Sequence, residues 1–257
     1  MKPPPHALLA GSAGALAALL LLAPPIAQPP SYHDFADQRA CFGLPNCLNT
    51  ASNLLFVLAG SHGLHCLRRL SGEAAGQAFV DARERWPYTV FFVAVILIGG
   101  ASAAYHLAPD NTGLAWDRAA MALAFMAWLA AMIAERVAVR TALALLAPLC
   151  LAGLGAVGLW AWSEAQGAGD LRPWLLIQLA ALLLPPLLLW QYPPRYSHGR
   201  DMAVVIALYV LALMLDLGDR ALFALTDGMV GGHALKHAAA ALAAWQLARH
   251  LRRRRPL

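Results

Sequence analysis

Three histidines have the type and spacing of metal ligands. His233 and His237 form an H-x-x-x-H pair, which places two imidazoles one turn apart on the same face of a helix. His106 lies far earlier in the chain, at the end of a different apolar stretch. Three neutral imidazoles leave one coordination position of zinc open to water, whose pKa then falls to about 7. The sequence therefore predicts a catalytic zinc site at His106, His233 and His237.

Two more polar residues are predicted at the level of these histidines. Ser102 precedes His106 by one helical turn, and Asp117 lies in the first turn of the next apolar run. Asp117 is suited to act as a general base toward the water, and Ser102 to hydrogen-bond the water or the developing oxyanion. In an alternative interpretation, Asp117 pairs with Arg118 at the membrane interface and Ser102 only allows close helix packing.

The elements that must position these groups are membrane helices. Of the 257 residues, 60% are hydrophobic and 13% charged, a composition typical of polytopic membrane proteins. Eight apolar runs are long enough, or nearly so, to cross a hydrocarbon core of about 30 Å; they cover roughly residues 7–26, 49–67, 88–107, 114–134, 141–162, 173–191, 202–217 and 233–250. The predicted fold is an all-α polytopic membrane helix bundle with a seven-helix core and an additional N-terminal helix.

The sequence divides into three predicted parts. Residues 1–28 form either a retained transmembrane helix or a signal peptide, because a basic start, an apolar stretch and small residues suit both. Residues 29–251 form the membrane domain, and residues 252–257 form a basic cytoplasmic tail.

The distribution of Lys and Arg predicts the orientation of the bundle. Alternate loops carry 14 of the 19 basic residues on one side, and the other side has Arg39, Arg118, Arg172, Arg220 and Lys236. Since basic loops stay in the cytoplasm, both termini are predicted there, in what we expect to be a bacterial inner membrane. The three predicted metal ligands then lie toward the outer leaflet.

The basic side also holds residues that the metal site does not need. We expect the terminal run RHLRRRRPL, residues 249–257, to contact anionic lipid as an orientation anchor rather than nucleic acid. Four histidines are assigned to this side, at the interface, in a solvated loop or in the tail: His62, His65, His198 and His250.

The outer segment 32–53 is too polar to span a membrane. Asp34, Asp37 and Asn46 offer oxygen ligands suited to calcium, although their spacing matches no EF-hand loop. Cys41 and Cys47 either form a disulfide in an oxidising compartment or stay free.

Two aspartates near the outer end of the penultimate run leave two interpretations open. Asp219 with Arg220 is suited to an interfacial ion pair. Alternatively, Asp216 or Asp219 hydrogen-bonds a histidine ligand and orients its ring.

The order of these motifs resembles a known group of membrane proteins. The succession Ser102-x-x-x-His106, Asp117 and His233-x-x-x-His237 is similar to that of the alkaline ceramidase and adiponectin/progestin-receptor-like superfamily of seven-helix membrane hydrolases. The segment NTASNLLF at 49–56 resembles the start of the first core helix of alkaline ceramidases, and YHDFADQR resembles the preceding segment of bacterial ceramidase-like members. The resemblance covers about residues 32–250.

This resemblance implies a function and a second ion. It implies that zinc is bound by the three histidines, and that the amide bond of ceramide-like membrane lipids is hydrolysed to a fatty acid and a long-chain base. It also implies calcium beside the first core helix, with Asp34 and Asp37 as partial ligands. Asn46 stands where the eukaryotic pattern has a glutamate, which leaves fewer charges for calcium.

Two other classes of function remain open. The receptor-like members of the superfamily imply a lipid sensor whose zinc is structural. A haem or quinone electron carrier would use transmembrane histidines as axial pairs from two helices. Here two histidines lie on one predicted helix and the third on another, beside an acid and a serine.

Overall fold

The computed structural model describes residues 5–70 and 78–257, and within them it is a bundle of α-helices with no β-strand beyond isolated bridges. The α-helices are α1 (Pro5–Leu22), α2 (Cys47–Ala51), α3 (Leu54–Arg69), α4 (Arg85–Leu107), α5 (Asn111–Arg136), α6 (Val139–Ala165), α7 (Arg172–Gln191), α8 (Arg200–Leu217), α9 (Asp219–Leu225) and α10 (Gly232–Arg253). The predicted all-α fold is therefore confirmed.

Each of the eight predicted apolar runs corresponds to one long helix, with bounds that differ by a few residues. The second run is divided, because α2 ends at Ala51 before α3 begins at Leu54. The seventh run continues beyond Gly218 as the short helix α9, which is bent by 77° relative to α8. A short turn joins α4 to α5, and Asp110 caps α5 by accepting a hydrogen bond from the Gly113 N–H at 2.6 Å.

Several of these helices are suited to a bilayer. Four of them are long and apolar enough to cross a membrane (α4 with the 3-10 turn before it, α5, α6 and α7), and the bent pair α8–α9 makes a fifth. Large apolar side chains such as Leu151, Trp162 and Trp190 are exposed on the outside of α6 and α7, as expected for surfaces that face lipid. Within the described residues α1, α3 and α10 fall outside this set. The part of α1 whose side chains are described, Ala10–Leu22, is shorter, α3 has 16 residues, and α10 carries Lys236 and arginines.

Two helices form the centre of the bundle. Of the most apolar 18-residue stretch in each helix, 72% is buried in α5 and 22% in α6. α5 is therefore central and α6 is peripheral. α10 packs on α3 and α8 and buries a series of alanines together with His233 and His237. α10 and the end of α4 carry the three predicted metal ligands, and α5 carries Asp117.

The basic end of the bundle differs from the prediction at two residues. Arg254 is fully buried and donates hydrogen bonds to Glu135 at 2.8 Å and to the Ala78 carbonyl at 2.9 Å. His250 is also fully buried, 3.8 Å from Glu135 and 3.5 Å from Asp201. The prediction that Arg254 contacts lipid and that His250 belongs to the basic tail is therefore wrong. Both side chains lie inside the bundle because carboxylates of other helices are there to pair with them.

The last residues are fixed to the loop between α7 and α8. The Ser197 N–H donates to the Arg255 carbonyl at 2.9 Å, and the Leu257 N–H donates to the Arg195 carbonyl at 3.0 Å. Arg252, Arg253 and Arg255 remain exposed, as the anchor interpretation requires.

The outer segment is compact although it contains little helix. Cys41 and Cys47 are joined as a disulfide, with Cα atoms 5.6 Å apart, so the first of the two alternatives holds. Of the remaining cysteines in the described chain, Cys66 is buried and Cys150 half-buried.

Candidate metal centre

The structure brings the three predicted ligands together. His106 lies in the last turn of α4, and His233 and His237 lie in the first two turns of α10. One ring nitrogen from each lies within 4.8 Å of the others, and the two Nε2 atoms of His106 and His233 are 3.2 Å apart. All three residues are buried, with exposures between 0% and 6%.

This donor set fits a tetrahedral divalent ion. Zinc–nitrogen bonds of about 2.0–2.1 Å at tetrahedral angles place two ligand nitrogens about 3.3 Å apart. The separation of 3.2 Å between His106 and His233 agrees with this value. In the described part of the chain, these residues are the one group of three or more His, Cys, Asp or Glu arranged to hold a metal ion.

The second ring nitrogens of two of the ligands have partners outside the cluster. Nδ1 of His233 lies 2.8 Å from Oδ1 of Asp216, and because a carboxylate only accepts, Nδ1 carries the proton. The lone pair of His233 is then on Nε2, which faces His106. Nδ1 of His237 lies 2.8 Å from the Ser52 hydroxyl. Such partners orient imidazole ligands and, where the partner is a carboxylate, raise their basicity.

A second aspartate holds the start of α10 in place. Asp219 accepts the His233 N–H at 2.9 Å through Oδ1 and the Ala36 N–H at 2.9 Å through Oδ2. The bend at Gly218 turns α9 away from α8, so Asp216 and Asp219 both face α10. Gly232 is required at this approach, because a Cβ atom there would overlap the Leu215 carbonyl oxygen.

The outer segment covers the cluster. The Phe35 ring is buried, and its centroid lies 4.7 Å from those of both His106 and His233. Asn46 donates a hydrogen bond to the His106 carbonyl at 2.8 Å, and His33 contacts the Tyr105 hydroxyl at 2.8 Å. These contacts separate the three imidazoles from the outer solvent.

Ser102 and Asp117 lie on one wall of a cavity that reaches the metal centre. Ser102 is next to the Asp117 carboxyl, and both residues line the cavity together with His237. Both are buried, and Oδ1 of Asp117 has no hydrogen-bond partner among the described residues. A buried carboxylate oxygen without a protein partner is suited to accept a proton from a ligand in the cavity.

The cavity continues from the polar end into the apolar centre of the bundle. Its free volume is about 1270 Å³, a value that includes space open to the outside. Its lining runs from Ser102 to Phe91 along α4 and from Asp117 to Trp128 along α5, which corresponds to a depth of about 16 Å at the helical rise. A site with a few polar groups at one end of a long apolar space is suited to an amphiphilic ligand.

The three residues predicted for calcium each have another partner. Asp34 is paired with Arg220, and Asp37 accepts two hydrogen bonds from Arg39 at 2.8 Å each. Asn46 uses its amide on the His106 carbonyl. The Arg39 guanidinium lowers the pKa of Asp37 by hydrogen bonding. Two arginines thus balance the charge of the two acids, and calcium binding stays a prediction.

Sequence reasoning found the three clustered histidines and one of their partners but missed others. The alternative in which an acid hydrogen-bonds a histidine and orients its ring holds for Asp216. Asp219 instead accepts the backbone N–H of His233. The contact of Ser52 with His237 was missed, because a serine before an apolar run also fits a helix cap. Phe35 was missed because its segment has no periodicity that predicts which side chains turn inward.

Comparison of the chain with protein-family models, with curated proteins and with solved structures finds no match. The geometry of the cluster and its cavity is therefore the basis for assigning a function.

Proposed function

We propose that the chain is a zinc-dependent membrane hydrolase that cleaves the amide bond of a ceramide-like lipid. The observation that supports this proposal is a buried cluster of three histidines at the polar end of an apolar cavity whose wall carries Asp117 and Ser102. Zinc bound by these imidazoles supplies an activated water near neutral pH and polarises a carbonyl group.

The protein groups divide the remaining work. Oδ1 of Asp117 accepts the proton of the attacking water and then returns it to the nitrogen of the leaving amine. The Ser102 hydroxyl donates a hydrogen bond to the oxygen that becomes negatively charged. Asp216 keeps the His233 ring in the orientation in which Nε2 faces the cluster, and Phe35 keeps outer water away from the reacting bond.

The shape of the cavity supports a lipid substrate. Its apolar part is lined by side chains such as Phe91, Trp128 and Ala243, which suit an acyl chain. α7 and α8 form one wall, and Gln178 and Tyr209 connect them across it by a hydrogen bond of 3.3 Å. We infer that a lipid reaches the cavity sideways from the bilayer, between these two helices.

The proposal places the metal centre toward the outer leaflet of an inner membrane, with both termini in the cytoplasm. The histidine cluster lies at the end of the bundle that carries Arg39, Arg172 and Arg220. The more basic residues gather at the other end, where Arg195 and Arg254 both contact Glu84.

The experiment that tests this function combines metal analysis with hydrolysis of a fluorescent ceramide by the purified chain. His233→Ala is expected to lose zinc and turnover together. Asp117→Asn is expected to keep zinc and lose turnover by about 10²- to 10⁴-fold, the range for a general acid–base group. His62→Ala is the matched control, since this ring stacks on Trp245 at a centroid distance of 3.9 Å, away from the cluster.

Two results would contradict the proposal. Full hydrolysis by a zinc-free His233→Ala protein would end the enzyme assignment. Native protein that holds zinc but hydrolyses no lipid amide would favour the alternative, a lipid-sensing receptor-like protein with a structural zinc site.

A further inference from the structure

Arg118 is a buried cation with unused hydrogen-bond donors. It is 3% exposed, follows Asp117 on α5 and lines the cavity. Its Nη2 donates to the side-chain oxygen of Gln28 at 2.7 Å, whereas Nε and Nη1 donate to no group in the described chain. Arg118 forms no ion pair with any described carboxylate. Because burying a guanidinium without a counter-ion is costly, a partner anion is the expected complement of this side chain.

Three aromatic rings fix the position of the guanidinium. Its central carbon lies 4.2 Å from the centroid of a Trp160 ring, 5.3 Å from that of Trp174 and 5.3 Å from that of Tyr32. The rings attract the cation through their faces, and the Tyr32 hydroxyl also interacts with the guanidinium. The arrangement therefore holds Arg118 in place while its Nε and Nη1 remain without an acceptor in the described chain.

The charge balance at this end of the cavity also favours an anion. Lys236 lines the cavity beside Asp216, with Nζ 3.2 Å from Oδ1. Two cations, Arg118 and Lys236, thus face two acids, Asp117 and Asp216. These four charges cancel, and the three imidazoles add no negative charge, so a divalent ion bound by them would leave an excess of positive charge that Asp219 beside His233 offsets only in part.

We propose that Arg118 forms the centre of a binding site for an anionic group, a carboxylate or a phosphate, on the lipid that occupies the cavity. Lys236 contributes to the attraction from the opposite wall. This inference rests on the proposed function for the presence of a lipid, and it narrows the substrate class. The head group of ceramide is uncharged. An N-acyl lipid with a carboxylate or phosphate on its amine portion would instead place its amide bond at the metal centre and its anionic group at Arg118.

The test measures equilibrium binding of radiolabelled lipids to the full chain in nanodiscs, without reference to turnover. The probes share one oleoyl chain: oleate and oleoyl lysophosphatidate are anionic, and monoolein is neutral. Native protein is expected to bind at least one anionic probe about tenfold or more tightly than monoolein, as for hydrogen bonds to charged groups. The ratio of oleate to lysophosphatidate affinity distinguishes a carboxylate from a phosphate.

Three variants test whether Arg118 causes the preference for anionic probes over monoolein. Arg118→Gln is expected to abolish the preference with monoolein affinity unchanged, and Arg118→Lys to retain part of it. Arg220→Gln removes an exposed arginine at the same end of the bundle, outside the cavity lining, and should retain all of it. The preference is also expected in His233→Ala protein, where the metal centre is lost.

Three results would overturn the inference. The first is equal affinity of native protein for neutral and anionic probes, which decides the question even where a variant fails to fold. The second is a preference that survives Arg118→Gln. The third is a preference that disappears in His233→Ala protein, since the metal would then bind the anion. Absence of hydrolysis contradicts only the proposed function and leaves these binding results unaffected.

Discussion

Asp216 is expected to set the metal affinity of the histidine cluster. Its Oδ1 lies 2.8 Å from Nδ1 of His233 and 3.2 Å from Nζ of Lys236. Asp216→Asn keeps an oxygen that can accept from His233 but removes the negative charge that makes the imidazole a stronger ligand. Loss of such a partner typically lowers metal affinity by about 10- to 100-fold, or about 1.4–2.8 kcal/mol. The uncompensated charge of Lys236 places the expected loss toward the upper end of this range.

The assay is a zinc titration of the purified chain in competition with a chromophoric chelator at neutral pH. Asp227→Asn is the matched control, because this aspartate is exposed and has a φ of 50°, a conformation that asparagine tolerates. Ser52→Ala removes a neutral partner of His237 and should lower affinity by less than Asp216→Asn does. An unchanged Kd in Asp216→Asn, or an equal change in Asp227→Asn, would refute this account of the site.

Two further predictions concern the segments that hold the centre in place. Gly232→Ala puts a methyl group against a backbone oxygen of α8 and should destabilise the fold by about 1–3 kcal/mol and weaken zinc retention; Gly100→Ala meets open space and serves as its control in thermal unfolding. The pKa of Asp37 is lowered by Arg39, so the stability from this pair is present above the unfolded pKa of about 3.9 and is lost as pH falls through the lower folded value. Hydrogen exchange of residues 34–39, corrected for its intrinsic rate, should therefore rise below about pH 4, and Arg39→Gln should remove that dependence.

The long helices were predictable because their signal is local. A run of apolar residues of sufficient length specifies a helix almost regardless of what it contacts, and the predicted runs agree with the observed helices within a few residues. The clustering of the three histidines was predictable for a related reason. His233 and His237 share a face by helical spacing alone, and alternation of the helices brings His106 to the same end.

The remainder depends on contacts between segments that are distant in sequence. Phe35 lies over the histidines because Asp219 binds the adjacent backbone at Ala36, an interaction that no local pattern indicates. The burial of Arg254 depends likewise on Glu84 and Glu135, which come from other helices. From the sequence, an arginine in a basic run is expected to be solvated. Only the tertiary structure shows that buried carboxylates lie next to Arg254.

Helix α10 is attached at both of its ends. Near its start, His233 and His237 belong to the histidine cluster. At the opposite end of the bundle, Arg254 directly follows its last residue and donates a hydrogen bond to Glu135. Its 22 residues span about 33 Å, so the two attachments fix the helix against sliding and rotation. Arg254→Gln should accordingly speed zinc dissociation from the opposite end of the helix, and zinc loading should slow backbone exchange near Arg254 by the reciprocal coupling.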